Sequence, residues 1–550
     1  MTGTRSIAKI KILSSILIFL IAGLDLTGQA ASYTYFYRIY FRDKGNLSAG
    51  YSASDLLSSK AIERRINAGV PVPDYKDYPV EKSYLARITL TGLKFHSSSK
   101  WMNTALFKSQ SPIDQNAILR LPFILDVKIV KNPGIKSSHN NKLDFEIEQA
   151  DPLAFDRPLT MVNGKTLHNS GFDGKGILIA ILDGGFSDAD KISSLNGLRS
   201  RKGIKATYDF VKKNQNVYNS STHGTAVLSV IAGNLPGFID GSAPGADFLL
   251  LKTEDVGSEF PCEEDFWAAA AEYADSAGAD IISSSLGYYT FDDPSMNYKI
   301  SELDGDQAFV TRVADIAASK GMLVVNSAGN ERNNSWQYII FPSDGDSVLA
   351  VGAVNGNNLI ADFSSSGPSS DKRIKPDNVA MGVSIPVQIS ENTVNRSSGT
   401  SFSCPVLSGM AACLMQAVAQ ASNTDIINAI HQSGDRYHSP DPLYGYGIPD
   451  MVQALNYIQD IYVKIPDEGP IVSPNPTTGN LEIIFPSPPQ NIQIEIFSAS
   501  GKIIFQKDFA DFAGRTIFVT ELQHAVQGMY LIRIKSPSGT TVRKVIKLKS

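Results

Sequence analysis

Cysteine is scarce, with three residues in a chain of 550. Cys262, Cys404 and Cys413 are too few and too odd in number for a disulfide framework. Cys404 and Cys413 fall in one apolar helical stretch, where nine residues span about 13 Å of helix axis and cannot bridge. All three read as free thiols, with core packing the default for Cys404 and Cys413. Charge of one sign is lacking too. Lys and Arg number 50 against 55 Asp and Glu, a net charge of -5, which supplies no field that would attract nucleic acid. Past the N-terminal segment no apolar run is long enough to cross a bilayer. The bulk, 43% hydrophobic and 19% charged, is ordinary for a globular protein and gives no function by itself.

What is present starts at the N-terminus, where Arg5, Lys9 and Lys11 precede an apolar run from Ile12 to Ala22 and then Gly28-Gln29-Ala30-Ala31. A basic flank, a short apolar core and small residues predict a secretory signal peptide over 1–31. A membrane anchor is the other reading, but the apolar core falls short of the roughly 20 residues a spanning helix needs. The chain is also longer than one hydrophobic core usually serves, so several domains are expected.

Residues 32–148 form the first. The near-alternating Tyr33–Phe41, together with Leu85–Gly92 and Ile124–Val130, predicts strands, and Ser99–Phe107 predicts a helix, giving a small α+β unit. The polar stretch from Lys131 to Gln149 reads as an exposed linker. Over 149–460, short apolar runs at 177–182, 248–251, 280–283, 322–325 and 348–351 alternate with helical segments such as 306–319. That alternation predicts a parallel sheet with helices on both faces. The stretch after Ser401 is apolar almost all round, as a buried helix would be. A linker over 461–472 precedes residues 473–550, where alternating segments such as Ile492–Phe497 and Met529–Ile534 predict a small all-β sandwich. The fold class expected is therefore α/β, flanked by an α+β domain and an all-β domain.

In an open parallel sheet, ligands sit beyond the carboxyl ends of the strands. Four polar residues stand out there. Asp183 follows the longest apolar strand, in Leu182-Asp183-Gly184-Gly185; alone it is a turn former. A dinucleotide site would need a third glycine opening a helix, which is lacking. His223, in Thr222-His223-Gly224-Thr225, opens a helix and alone would be structural or solvated. Ser401 lies in Gly399-Thr400-Ser401-Phe402-Ser403-Cys404-Pro405, where Pro405 is tolerable only if a helix begins near Ser401; a simple N-cap is the plain alternative. Asn330 follows Ala328-Gly329, a usual turn context. Read together, Ser401 is a nucleophile on a helix N-terminus, His223 its general base, Asp183 the carboxylate that orients the base, and Asn330 a donor to a developing oxyanion.

In that order these motifs resemble the signatures of the subtilisin-like serine peptidases, and the order differs from those of the chymotrypsin and α/β-hydrolase groups. Gly241-Ser-Ala-Pro-Gly245, Phe363-Ser-Ser-Ser-Gly367 and Tyr444-Gly-Tyr-Gly447 add to the likeness, which spans roughly Asp156 to Ile458. The resemblance implies a secreted serine endopeptidase acting on proteins or peptides without a required cofactor. It also implies that Ser285, Leu286 and Gly287 form an edge on which substrate pairs as an added strand, with Ser327, Ala328 and Gly329 on the facing wall of the primary pocket. The resemblance also implies that Ile340, ahead of Phe341-Pro342, lies near the pocket floor where many relatives have glycine, and so a small or medium apolar side chain before the scissile bond. Two positions depart from the family pattern: Phe402-Ser403 replaces Met-Ala after the nucleophile, and Val406 replaces a histidine. Many relatives bind calcium, but Asp292, Asp293, Asp304 and Asp306 make no assignable ligand pattern and read as solvated acids.

The flanks fit a zymogen. The 32–148 unit resembles the family's propeptide, with an ordinary N-terminal domain as the alternative. Ser473-Pro-Asn-Pro-Thr-Thr-Gly479, Ile496-Phe-Ser-Ala-Ser-Gly501, Gly528-Met-Tyr530 and Lys544-Val-Ile-Lys547 resemble the sorting domain of the type IX secretion system of Bacteroidota. That resemblance implies passage through the periplasm to the surface or medium by that machinery; a carbohydrate- or protein-binding β domain is the alternative. Against the peptidase stands a catalytically silent surface-binding protein on the same fold.

Overall fold

A computed structural model describes residues 34–45, 50–134, 142–143, 145–149, 155–462, 469–486, 488–510, 512, 514–537 and 539–548. The signal peptide expected over 1–31 and much of the polar linker lie outside them. Seven parallel strands make the central sheet, in the order Asn378–Met381, Val348–Val354, Leu323–Ser327, Ile281–Ser284, Leu178–Asp183, Asp247–Lys252 and Ile204–Asp209. A parallel sheet must be covered on both faces, and alternate residues of each strand serve the two cores. Ile179, Ile181, Leu323 and Val325 pack under the helices His223–Ala232, Thr400–Ala417 and Met451–Tyr462. Ala180, Leu182, Ile282 and Val324 pack under Cys262–Ala277 and Phe309–Ser319. All three cysteines are free and buried, and no helix among the described residues is long and apolar enough to cross a membrane.

The first domain is a four-stranded antiparallel sheet, in the order Lys94–Ser99, Thr104–Ser109, Tyr35–Phe41 and Ile124–Lys131. Two expectations fail here. The strand expected over 85–92 is the helix Lys82–Thr89. Tyr84, Leu85 and Ile88 repeat at helical spacing, the Glu81 carboxylate accepts from Ser83 N–H at 2.9 Å as a cap, and Leu90, which a strand would bury beside Ile88, is 86% exposed. The helix expected over 99–107 is the end of one strand, a turn through Asn103 at φ 51° and the strand Thr104–Ser109. That strand is buried on both faces, Phe107 toward its own core and Leu106 toward Phe266 of the central domain, so its unbroken apolar run carries no alternation.

This domain lies on the helix Cys262–Ala277 through polar contacts. Arg38 Nε donates to Asp265 at 2.9 and 3.0 Å and its terminal nitrogen to Glu264 at 3.1 Å. Glu272 accepts from Ser99 Oγ at 2.6 Å and from the Lys100 and Trp101 N–H groups at 3.0 Å each. At the other end of the chain, two antiparallel sheets of three and four strands enclose a core of Leu481, Ile494, Ile532 and Val545. The strands expected there are observed at Ile492–Ser498 and Gly528–Ser536.

Candidate active site

The polar residues singled out from the sequence meet at the carboxyl edge of the central sheet. Asp183 is the last residue of a strand buried along its whole length. A glycine pair lets the next loop close in: a Cβ at Gly185, whose φ is 145°, would lie 2.3 Å from the Asn219 carbonyl oxygen. One at Gly224 would lie 2.5 Å from the Gly185 carbonyl. This close packing brings the first residue of the helix His223–Ala232 onto Asp183, and His223 Nδ1 lies 2.9 and 3.1 Å from the two carboxylate oxygens. Asp183 is fully buried and His223 4% exposed, so the pair is shielded from water and the carboxylate fixes the Nδ1–H tautomer.

Ser401 is the second residue of the helix Thr400–Ala417, with Gly399 ahead of it at φ 154° and Pro405 within the first turns. Pro405 has no N–H, so the Ser401 carbonyl loses its helical donor; Ser285 Oγ supplies one instead at 2.9 Å. The Ser401 hydroxyl points to the Ser285 carbonyl oxygen at 3.5 Å, at the outer limit of a hydrogen bond. Asn330 Oδ1 accepts from the Thr400 N–H at 2.9 Å and from Thr400 Oγ1 at 3.0 Å. With the carbonyl end of the amide thus held, its NH₂ end is the one turned to the cleft. Thr400 Oγ1 also accepts from the Gly329 N–H at 3.2 Å. Thr400 thereby ties Asn330 and the pocket wall to the residue before Ser401, a role that a threonine in sequence gives no sign of.

Ser285, Leu286 and Gly287 continue from the strand Ile281–Ser284, and Ser327, Ala328 and Gly329 end the strand Leu323–Ser327 and its turn. Ile340 stands between the two walls: its N–H donates to the Ala328 carbonyl at 3.1 Å, and its side chain is 2.2 Å from where a Cβ on Gly287 would be and 3.1 Å from one on Gly329. The departures at Phe402 and Val406 are buried, core-packed side chains. Asp293 and Asp304 accept from the backbone N–H groups of Ser295 and Asp306 at 3.0 Å each, as turn-capping acids do, and Asp292 accepts from the distant Glu259 N–H at 3.0 Å.

Across this edge runs the segment that follows the first domain, read from sequence only as a polar linker. Leu143 sits on the Gly184 backbone, and the Phe145 ring stands edge-on to His223 at 5.6 Å and to Phe402 at 5.5 Å. Ser397 Oγ donates to the Glu146 carbonyl at 2.8 Å, and Glu148–Gln149 pair as a short antiparallel strand with Asn395–Arg396. Among the described residues, one carboxylate cluster has metal-like spacing, Glu254, Glu259 and Glu263, and it too was not singled out from the sequence, because its members come from a strand end, a loop and a helix start.

Residues 174–447 match the profile of the Subtilase family, residues 36–144 the Peptidase S8 propeptide domain of Bacteroidota, and residues 472–548 the Secretion system C-terminal sorting domain. Subtilisin from Bacillus pumilus is 30% identical over 301 residues, which are 54% of this chain and 97% of that protein. Subtilisin E from Bacillus subtilis (strain 168) is 28% identical over 372 residues, 67% of this chain and 84% of that protein. The Thermostable alkaline protease from Halalkalibacterium halodurans is 28% identical over 323 residues, 58% of this chain and 78% of that protein. The chain belongs to the subtilase family: it is a serine endopeptidase made with a propeptide and a secretion sorting domain, secreted or held at the cell surface.

Proposed function

We propose that Ser401 Oγ attacks the scissile carbonyl while His223 Nε2 takes its proton, giving an acyl-enzyme and releasing the amine with the proton returned from His223. Water then enters by the reverse route and frees Ser401. The reading is carried by the buried contact of His223 Nδ1 with both oxygens of Asp183, at 2.9 and 3.1 Å. That contact leaves Nε2 as the acceptor facing the cleft and stabilises the imidazolium that forms. The Ser401 hydroxyl, which now points to the Ser285 carbonyl, must turn toward that nitrogen for the attack. Oxyanion charge falls to the Asn330 NH₂ and to the N-terminus of the Ser401 helix. Nucleophile, base and oxyanion donors all belong to this chain, so the route calls on no cofactor.

Substrate lies along Ser285-Leu286-Gly287 as an added strand, with Ser327-Ala328-Gly329 opposite. Ile340, wedged between Gly287 and Gly329, leaves room for a small or medium apolar side chain before the scissile bond. Residues 32–148 act as the propeptide, residues 149–460 as the peptidase, and 473–550 as the address read by the type IX machinery after 461–472. With Phe145 over His223 the full-length chain is blocked, and the active form accumulates without its first domain. A catalytically silent binding protein would have no use for all four of Asp183, His223, Ser401 and Asn330. Labelling of the mature protein with a fluorophosphonate, which reacts with activated serines, tests the reading: the adduct mass is expected on the peptide holding Ser401 and lost in His223→Ala. An adduct on another serine, or none, would refute it.

A further inference from the structure

We propose that Glu254, Glu259 and Glu263 form a substrate subsite that takes a lysine side chain two or three residues N-terminal to the scissile bond. The proposal rests on the peptidase reading above and names a substrate feature for it. Lys142 now occupies the site: its Nζ lies 2.8 Å from Glu254, 2.6 Å from Glu259 and 2.7 Å from Glu263. An ammonium has three donors, and here three carboxylates lie within 2.8 Å of it, with a hydrogen bond donated to Glu263 at 2.7 Å.

The position of Lys142 is that of a substrate residue. Its N–H donates to the Val256 carbonyl at 3.1 Å, Leu143 sits on Gly184 beside Asp183, and Phe145 lies on His223. Leu143 and Phe145 thus both lie against residues of the catalytic site, and the propeptide match ends at residue 144. Lys142 and Leu143 line one cavity with Glu254, Glu259, Leu286 and Gly287, so the acidic site opens onto the edge where substrate pairs.

Lys142 is also a guest, because it departs with the propeptide while the three acids stay. The receiving groups are held in place. Glu254 accepts from Thr253 Oγ1 at 3.0 Å and from the Tyr288 hydroxyl at 2.7 Å. Glu263 accepts from the Asp255 and Phe260 N–H groups at 2.7 and 3.1 Å. Glu259 is different: its Oε1 is buried and has no hydrogen-bond partner among the described residues. Burial pushes the Glu259 carboxyl up to about 7 and that of Glu263 well above its usual range, against the pull of Lys142. Vacated, the site keeps two carboxyl groups held in place, Glu254 and Glu263, and a third, Glu259, whose side chain has lost its partner. The planar fork of arginine suits one carboxylate, whereas the compact lysine ammonium suits three converging ones.

Self-matured wild-type enzyme and Glu259→Gln, with uncut Ser401→Ala as the background control, are assayed on fluorogenic peptides that carry lysine, arginine, norleucine or glutamate at the second or third position before the cut, in EDTA and in calcium. Glu259 is the residue to change because its side chain bonds only Lys142, so folding is preserved. Lysine is expected to exceed norleucine in kcat/KM by about 30-fold or more at one of the two positions, and Glu259→Gln to narrow that ratio about 10-fold. Ser401-dependent cleavage with lysine and norleucine within about 3-fold at both positions overturns the subsite and leaves the peptidase reading intact. Calcium that raises the Tm of wild type and not of Glu259→Gln, with no lysine preference in EDTA, makes the cluster a cation site and also overturns it. Cleavage no faster than by Ser401→Ala removes the peptidase reading itself, and the subsite with it.

Discussion

Pro405 takes away the one N–H that would bond the Ser401 carbonyl, and the Ser285 hydroxyl replaces it at 2.9 Å. On the proposed mechanism, the residue that opens the substrate edge thus also braces the nucleophile. Asn330 is positioned in the same way, by Thr400, which donates twice to its Oδ1 and accepts from the N–H of the preceding Gly329. On the proposed mechanism Asn330→Ala lowers kcat by about 10²- to 10³-fold with little change in KM, since the amide contacts charge that exists only in the transition state. A KM effect of the same size, with kcat kept, would mean that Asn330 binds ground-state substrate instead. Ile340 makes a separate prediction. Ile340→Gly opens the space between Gly287 and Gly329, and cleavage profiling should move the preferred residue before the cut toward Phe and Tyr. An unchanged profile would remove Ile340 from the pocket floor.

At the scale of elements, the helix Cys262–Ala277 explains how a folded N-terminal domain can be held and later lost. Its acidic residues are divided among that domain and the segment behind it: Glu263 to Lys142, Glu264 and Asp265 to Arg38, Glu272 to the N–H groups of residues 100 and 101, and Asp275 to Arg64 and Arg65. Buried charge pairs of this kind cost several kcal/mol when one partner is removed but need not stabilise much in sum. His96 adds a pH dependence. It packs between Phe36 and Phe266 across the contact, and burial holds its imidazole down to about 4, whereas an exposed histidine titrates near 6.5. A base with a depressed folded pKa is uncharged and costs nothing above pH 6.5, and it destabilises the docked state increasingly as the pH falls from 6.5 toward 4. In the uncut Ser401→Ala protein, His96→Phe should reduce the loss of unfolding free energy between pH 7 and pH 5 by about 2 kcal/mol. Equal losses with and without the substitution would clear His96 of the effect.

For the whole molecule, the five inner strands of the sheet and the helices of residues 309–319 and 400–417 were legible because unbroken apolar runs and full-circle apolarity have few other solutions. The edge strands were not: Ile204–Asp209 is half exposed and mixed in character, and Asn378–Met381 is four residues long and opens on a buried Asn378 whose amide donates to the Gly447 carbonyl at 3.0 Å. In the first domain, Leu85–Gly92 was misread because Ile88 and Leu90 sit two apart in sequence but on different sides of a helix. Asp183, His223, Ser401 and Asn330 were legible as motifs, since each needs glycines or a helix start next to it. Glu254, Glu259 and Glu263 were not, because nothing in sequence relates three acids to a lysine more than a hundred residues before them. The linker's course over the site was equally hidden, since polar composition marks exposure and carries no information about what the backbone covers. The central claim, that Ser401 performs peptide hydrolysis, is tested most directly by casein digestion with the purified full-length protein and its Ser401→Ala variant. Wild type is expected to digest casein and to lose its first domain while the variant does neither; equal digestion by both would contradict the account.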